Sequence, residues 1–360
     1  MSTASAAAVG PPPGMDVRLS SNEAPFGPSP EAIAAIEKLA PEAHIYPDDQ
    51  SVALRQALAD RIGADPSEVA VGTGSAGLLM DLVYHECHDG GAVLAYERAF
   101  VVYRLAANNL GVRYDEAPTD GPPTGAENGY GRDPQALLDA ITDDTRLIVI
   151  DNPGNPTGAH LTADELAAVV EAVPDHVTIA IDEAYHHFAS GQQGYETVLD
   201  VGLEHPRLLV LRTFSKAYAL AGLRVGWMVG PSELVRSLDA FRVRFNVNAA
   251  AQAAAVAAME DTDHLTRTID ATLKGRRRMA AELRDLGVPV TAGLGNFVTI
   301  ELGQEAAPIV EAYAEHGVGV RPLAPYGMLE QLRVTVGTPE EVDAFLDASR
   351  DVLADVASRQ

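Results

Sequence analysis

The segment RTFSKAYALAGLRVGW, Arg212 to Trp227, sets a lysine among hydroxyl-bearing and aromatic residues, with an arginine eight positions on. Lysine ordinarily sits in water. Lys216 instead has Phe214, Ala217 and Tyr218 around it and an Ala/Leu-rich run behind it. Two readings are open: an ordinary lysine at a helix start, or an amine held in a pocket for chemistry. In the second, Lys216 is the nucleophile, Thr213 and Ser215 are hydroxyl donors and Arg224 is an anion clamp. Partial desolvation and a nearby cation both depress a lysine pKa, as an imine-forming lysine requires.

Three other segments could complete such a site. GTGSAG, Gly72 to Gly77, follows an apolar run and opens a helical one, and it fits G-x-G-x-x-G. Backbone N–H groups at a helix start make an anion site. Glu97 lies about where a ribose-binding acid would stand, so a dinucleotide fold is one reading; a plain tight turn is another. DNPGNPTG, Asp151 to Gly158, follows the strongest apolar run. Asn155 precedes Pro156 and is pushed extended, so its amide can project from a strand's C-terminal end, where open α/β sheets bind ligands. A proline-braced loop is the bland alternative. In IDEAYHHF, Ile181 to Phe188, Asp182 ends the run VTIAI. A carboxylate there is costly unless paired. It reads as a cap or ion pair, or as a buried acid facing a cationic ring nitrogen, with Tyr185 in reach of the same ligand. HECH, His85 to His88, crowds two histidines and Cys87 onto one turn, but no further Cys/His pair stands out to complete a zinc site, and no metal is expected. His186 and His187 read as packing groups.

The elements that must position these residues alternate. EVAVG (68–72), GAVLAY (91–96), TRLIVIDNP (145–153), VTIAIDEAY (177–185) and RLLVLRTFS (207–215) read as strands. GLLMDLVYHEC (77–87), FVVYRLAANN (100–109) and TADELAAVVEAV (162–173) read as helices, the last with Thr162 and Glu165 spaced as a capping box. This alternation predicts an α/β domain with a mainly parallel sheet. The stretch 118–134 is Gly/Pro-rich and reads as a loop. After about residue 245 a long helical region is expected from Ala249 to about Leu286. Short strands follow at 296–302, 317–322 and 332–337, then a helix opened by Thr338. The expected division is 1–40 as an arm and part of a small domain, 41–245 as a large α/β domain, and 246–360 as a small α+β domain.

Composition bounds the rest. The 360 residues, 47% hydrophobic, suffice for a sizeable core. A net charge of −25 disfavours nucleic acid and anionic membrane. A single cysteine rules out an internal disulfide and fits a reducing, cytoplasmic setting. The start, MSTASAAAVGPPPG, lacks a basic and apolar leader pattern and reads as an arm. The alanine-rich run 249–259 is too short for a membrane span.

Taken in order, the phosphate turn, NPTG, D-E-A-Y and S-K-x-x-x-L-x-G-x-R resemble the fold-type I pyridoxal-phosphate aminotransferases. SNEAPFGPSP, YPD at 46–48 and LRVTVGTPEE extend the likeness to the histidinol-phosphate aminotransferase group and its aromatic relatives. The resemblance implies a large domain with a mainly parallel seven-stranded sheet between helices, plus a smaller α+β domain. It implies pyridoxal 5'-phosphate as cofactor, with Lys216 joined to its aldehyde, Asp182 pairing with the ring nitrogen, and Tyr185 and Asn155 on the phenolic oxygen. Gly74, Ser75, Ala76, Thr213, Ser215 and Arg224 would bind the phosphate side, and Phe100 would stack on the ring. Tyr46 would reach the partner's cofactor in a homodimer. Asn22, Asn155, Arg321 and Arg333 would hold substrate. The implied activity is amino-group transfer between an L-amino acid and a 2-oxo acid such as 2-oxoglutarate.

The histidinol-phosphate type usually carries an acidic pair after the phosphate-turn glycine; here Ala76 and Gly77 stand there. YERAFVVY and FNVNAAAQAAA look more like actinobacterial aromatic (phenylalanine) aminotransferases. These departures favour an aromatic or broad substrate, with histidinol phosphate or a specialised pathway as alternatives. Outside this class, a nicotinamide-dependent oxidoreductase built on Gly72–Gly77 would leave Lys216, Asp182 and Asn155 unexplained. A non-catalytic ligand-binding protein would have no need of Lys216.

Overall fold

The computed structural model describes residues 16–120 and 130–354; the N-terminal arm and the middle of the 118–134 loop lie outside them. The strands, in chain order, are β1 (Val17–Arg18), β2 (Val69–Gly72), β3 (Ala92–Tyr96), β4 (Arg113–Ala117), β5 (Thr145–Asp151), β6 (Thr178–Asp182) and β7 (Leu208–Thr213). They continue with β8 (Gly226–Val229), β9 (Val290–Thr291), β10 (Phe297–Glu301), β11 (Val318–Gly319), β12 (Arg321–Pro322) and β13 (Gln331–Thr335).

Unbroken apolar runs form the large sheet because both of its faces are buried. Along β5, Leu147 and Val149 pack into one core and Ile148 and Ile150 into the other. The helix Gly74–Cys87 supplies Leu78 and Leu82 to the first core, and the helix Ala163–Ala172 supplies Leu166 and Val169 to the second. Helices therefore cover both faces. Seven strands run in the order β2-β8-β7-β6-β5-β3-β4, parallel except for β8, which is antiparallel to β2 and β7. This is the mainly parallel seven-stranded sheet expected. It corrects the dinucleotide alternative, whose sheet has no reversed strand inserted beside the phosphate-turn strand.

A four-stranded antiparallel sheet, β12-β13-β10-β9, forms the smaller α+β unit, packed on the helices Thr262–Asp285 and Pro339–Val352. β1 joins it by pairing with β11, and Leu19 enters its core. The expected strand 317–322 is two short ones in different sheets. The expected single helix from Ala249 is two, Ala249–Glu260 and Thr262–Asp285, because Asp261 leaves helical geometry and caps the second through His264 N–H. The Thr162 and Thr338 capping boxes are both formed. No helix among the described residues is long and apolar enough to cross a membrane.

Candidate active site

β5, β6 and β7 lie side by side, and their C-terminal ends carry Asp151, Asp182 and Thr213. Here the parallel strands open onto a cavity of about 260 Å³. Lys216, Asp182, Tyr185, Asn155, Phe100, Ser75, Ala76, Thr213, Ser215 and Arg224 all line it. Residues up to 203 positions apart, Ser21 and Arg224, thus meet because the fold, not the sequence, sets neighbourhood.

Lys216 follows β7 and turns into the cavity. Its Nζ donates to the carbonyl oxygens of Ser21 at 3.3 Å and Asn22 at 3.1 Å. Burial, then the nearby Arg333 guanidinium, brings its pKa down to about 8. Asp182 is 4% exposed. Its Oδ2 accepts the Tyr103 hydroxyl at 2.9 Å and its Oδ1 accepts Ala184 N–H at 3.1 Å. Burial pushes its carboxyl up to about 7; the Tyr103 bond opposes this and the Asp151 charge adds to it.

Tyr185 and Asn155 are oriented from the N-terminal segment and β13. Asn22 donates its side-chain amide to the Tyr185 oxygen at 2.9 Å, which leaves the Tyr185 proton free to point into the cavity. Burial holds that phenol above its usual range. Arg333 donates to Asn155 Oδ1, so the Asn155 NH₂ is left as a donor. Arg333 itself lies 5.5 Å from the Phe297 ring centroid, donates to Ser20 O at 2.9 Å, and keeps a buried Nε with no partner.

The turn between β2 and the following helix is shaped by glycine. Gly74 has φ +80°, and a β-carbon there would stand 2.7 Å from Arg224 Nη2. The turn and Arg224 therefore close on each other. The helix begins at Gly74, Ser75 and Ala76 of its first turn line the cavity, and Thr213 Oγ donates to Ser215 Oγ at 2.9 Å. Phe100 stands edge-on to Tyr103 at 5.7 Å.

Two expected residues stand apart. Arg321 is exposed, with Nε on Ser20 O at 3.0 Å. Tyr46 is 80% exposed and lies tilted against Phe245 with ring centroids 4.8 Å apart, outside the cavity of its own chain. Glu97, the acid of the dinucleotide alternative, does not line the cavity; its carboxylate accepts Thr119 N–H at 3.5 Å. His85 pairs with Glu86, and Cys87 is buried. Sequence reasoning misses Tyr103, Ser21, Glu23 and Asp151, which also line the cavity. For Tyr103 a signal existed: it falls one helical turn after Phe100. For the two N-terminal residues none did.

The description "Aminotransferase class I and II" belongs to the family model that matches residues 15–348. The chain is 40% identical over 338 residues to histidinol-phosphate aminotransferase 2 of Methylococcus capsulatus, covering 94% of this chain and 90% of that one. It is also 40% identical over 331 residues to the aromatic amino acid aminotransferase of Rhodococcus opacus, covering 92% and 88%. In three dimensions it resembles the histidinol-phosphate aminotransferase from Sinorhizobium meliloti in complex with pyridoxal-5'-phosphate. That match has a TM-score of 0.84 and 27% identity, over 96% of this chain and 91% of that one.

Proposed function

Because the chain belongs to the class I and II aminotransferases, within the histidinol-phosphate aminotransferase family, we propose that it moves an amino group from histidinol phosphate to a 2-oxo acid such as 2-oxoglutarate, using pyridoxal 5'-phosphate. The observation that carries the reading is a lysine with its pKa near 8 in one cavity with a buried carboxyl near 7. An amine easily deprotonated and an acid that wants a cationic partner are the donor set this cofactor needs. The cofactor supplies an aldehyde for the amine and a cationic ring that draws electrons from the substrate.

The chain's own residues supply the rest. Asp182 pairs with the positive ring nitrogen, which offsets the cost of its buried charge. The freed Tyr185 proton and the Asn155 NH₂ donate to the phenolic oxygen. Phe100 covers the ring face. Gly74, Ser75 and Ala76 with Thr213, Ser215 and Arg224 hold the phosphate, at a helix start suited to anions. Lys216 Nζ, neutral part of the time near pH 8, takes the proton from the substrate α-carbon. Arg333 with Asn22 anchors the substrate's far end, and Arg321, which shares the Ser20 carbonyl with Arg333, adds a second guanidinium. Two arginines suit a phosphate as well as a carboxylate. Tyr46 serves the partner's site in a homodimer.

Ala76 and Gly77 after the turn glycine, with the segment YERAFVVY, favour an aromatic substrate. The relatives' names support the histidinol-phosphate reading better, since the Methylococcus protein and the Sinorhizobium structure both carry it. The Rhodococcus relative, at the same 40% identity, keeps the aromatic reading as the second. A visible absorption spectrum of the protein, titrated with histidinol phosphate and with phenylalanine in turn, tests this. Bleaching at lower histidinol phosphate concentration is expected. Bleaching by phenylalanine alone would move the assignment to the aromatic type, and no visible band after added cofactor would remove it.

A further inference from the structure

Asp151 has no part in the roles above, yet it lines the same cavity. Its side chain is 4% exposed, and that of its partner Arg132 is 2% exposed. Arg132 Nη2 meets Asp151 Oδ1 at 2.6 Å, and Arg132 Nη1 donates to the carbonyl of the same residue. The guanidinium also lies 5.3 Å from the Tyr96 ring centroid. Gly154 makes room for it: a β-carbon at that position would stand 2.2 Å from Arg132 Nη2.

The other carboxylate oxygen faces the site. Asp151 Oδ2 accepts the backbone N–H of Phe100 at 3.1 Å and that of Asn155 at 2.9 Å. These two segments leave different strands, β3 and β5, which are parallel neighbours in the sheet. A buried ion pair is weak evidence for stability, since apolar groups of the same volume often serve as well. No apolar pair could accept two N–H groups from two segments at once. The geometry therefore favours placement over stability as the reason for this pair.

We propose that Asp151, held by Arg132, is a positioning residue that ties the Phe100 and Asn155 segments together, so that ring-stacking face and phenolic-oxygen donor keep one fixed separation. The roles given to Phe100 and Asn155 rest on the pyridoxal-phosphate reading; the tie itself does not.

Amide hydrogen exchange read by mass spectrometry, on the full chain with and without added pyridoxal 5'-phosphate, tests the tie. In Asp151→Ala, peptides covering 98–101 and 152–156 are expected to exchange together about tenfold faster, as for the loss of a hydrogen bond to a charged acceptor. The β7 peptide 208–213 should be unchanged. Gly154→Ala, which displaces Arg132 without touching either charge, should give the same paired response and serves if Asp151→Ala fails to fold. Arg132→Lys should restore much of the protection lost in Arg132→Met. In the loaded protein the visible-band circular dichroism should fall in Asp151→Ala, and kcat should drop more than KM rises. Exchange that rises in neither segment, in only one, or equally in β7 would overturn the proposal. A wild-type protein with no visible band would instead remove the cofactor reading, while the exchange result would still decide the tie.

Discussion

Lys216 and Asp182 show how burial turns common side chains into reactive ones. Replacing Lys216 with Ala should reduce single-turnover transamination by about 10³-fold or more while far-UV circular dichroism is unchanged, within the range typical of a lost acid–base group. Asp182 makes a second prediction, about stability in the protein freed of cofactor. Its folded pKa of about 7 lies above the ordinary 3.8, so the folded state binds the extra proton between those values. Stability relative to Asp182→Asn should therefore fall as pH rises from about 4 to about 7, by at most about 4 kcal/mol, and stay level above that. Urea melts of both proteins across this range read the difference directly. His186 and His187 are pushed down to about 2 and about 3 by burial and give a slope of the opposite sign, which the comparison cancels. A flat difference would mean that Asp182 keeps an ordinary pKa. The types of these residues were legible in the sequence. Their partners were not: nothing in the spacing tells that Tyr103, 79 positions before Asp182, donates to it.

At the scale of elements, what could be read was what local physics decides. β5 was legible because an unbroken apolar run serves a strand buried on both faces. The Thr162 cap was legible because side-chain and backbone partners lie within one turn. Thr162→Ala should lower the melting temperature by a few degrees, for about 1 kcal/mol, and leave kcat unchanged, since the cap touches nothing in the cavity. Gly74→Ala should behave differently. Its backbone at φ +80° and its closeness to Arg224 make the substitution a strain of about 1–3 kcal/mol at the turn proposed to hold the phosphate. Cofactor affinity, measured by equilibrium dialysis, should weaken about tenfold or more, and unchanged affinity would argue against a phosphate bound at that turn. β4 and β8 were not read as strands. β4 is charged and at the sheet edge, and β8, GWMV, is four residues joined closely to the lysine segment. The break at Asp261 was missed because no glycine or proline marks the junction between the two helical runs.

For the whole molecule, Tyr46, Val243 and Phe245 leave an apolar surface in the single chain, exposed by 80%, 73% and 40%. Under the homodimer reading a second copy covers it. Sedimentation equilibrium should give twice the chain mass, and Tyr46→Ala should weaken cofactor binding although Tyr46 lies outside its own cavity. A monomer that binds cofactor with full affinity would contradict that. No amount of single-chain pattern reading could place Tyr46, because its expected target belongs to another copy.

The position of β8 also governs when this protein can become itself. Among the described residues β2, which leads into the Gly74 turn, pairs in the sheet with β8 alone, and β8 follows Lys216 in the chain. During synthesis, the turn must wait without its strand partner until the lysine has already been made. β13, which carries Arg333, comes later still. Contacts this distant in sequence form slowly and leave strand edges exposed meanwhile. A fragment ending near residue 220 should stay open to protease around 69–87, and one ending beyond residue 335 should resist it. The newborn chain thus completes this cavity late: Lys216, Arg224 and Arg333 come together only after β8 and then β13 have been made.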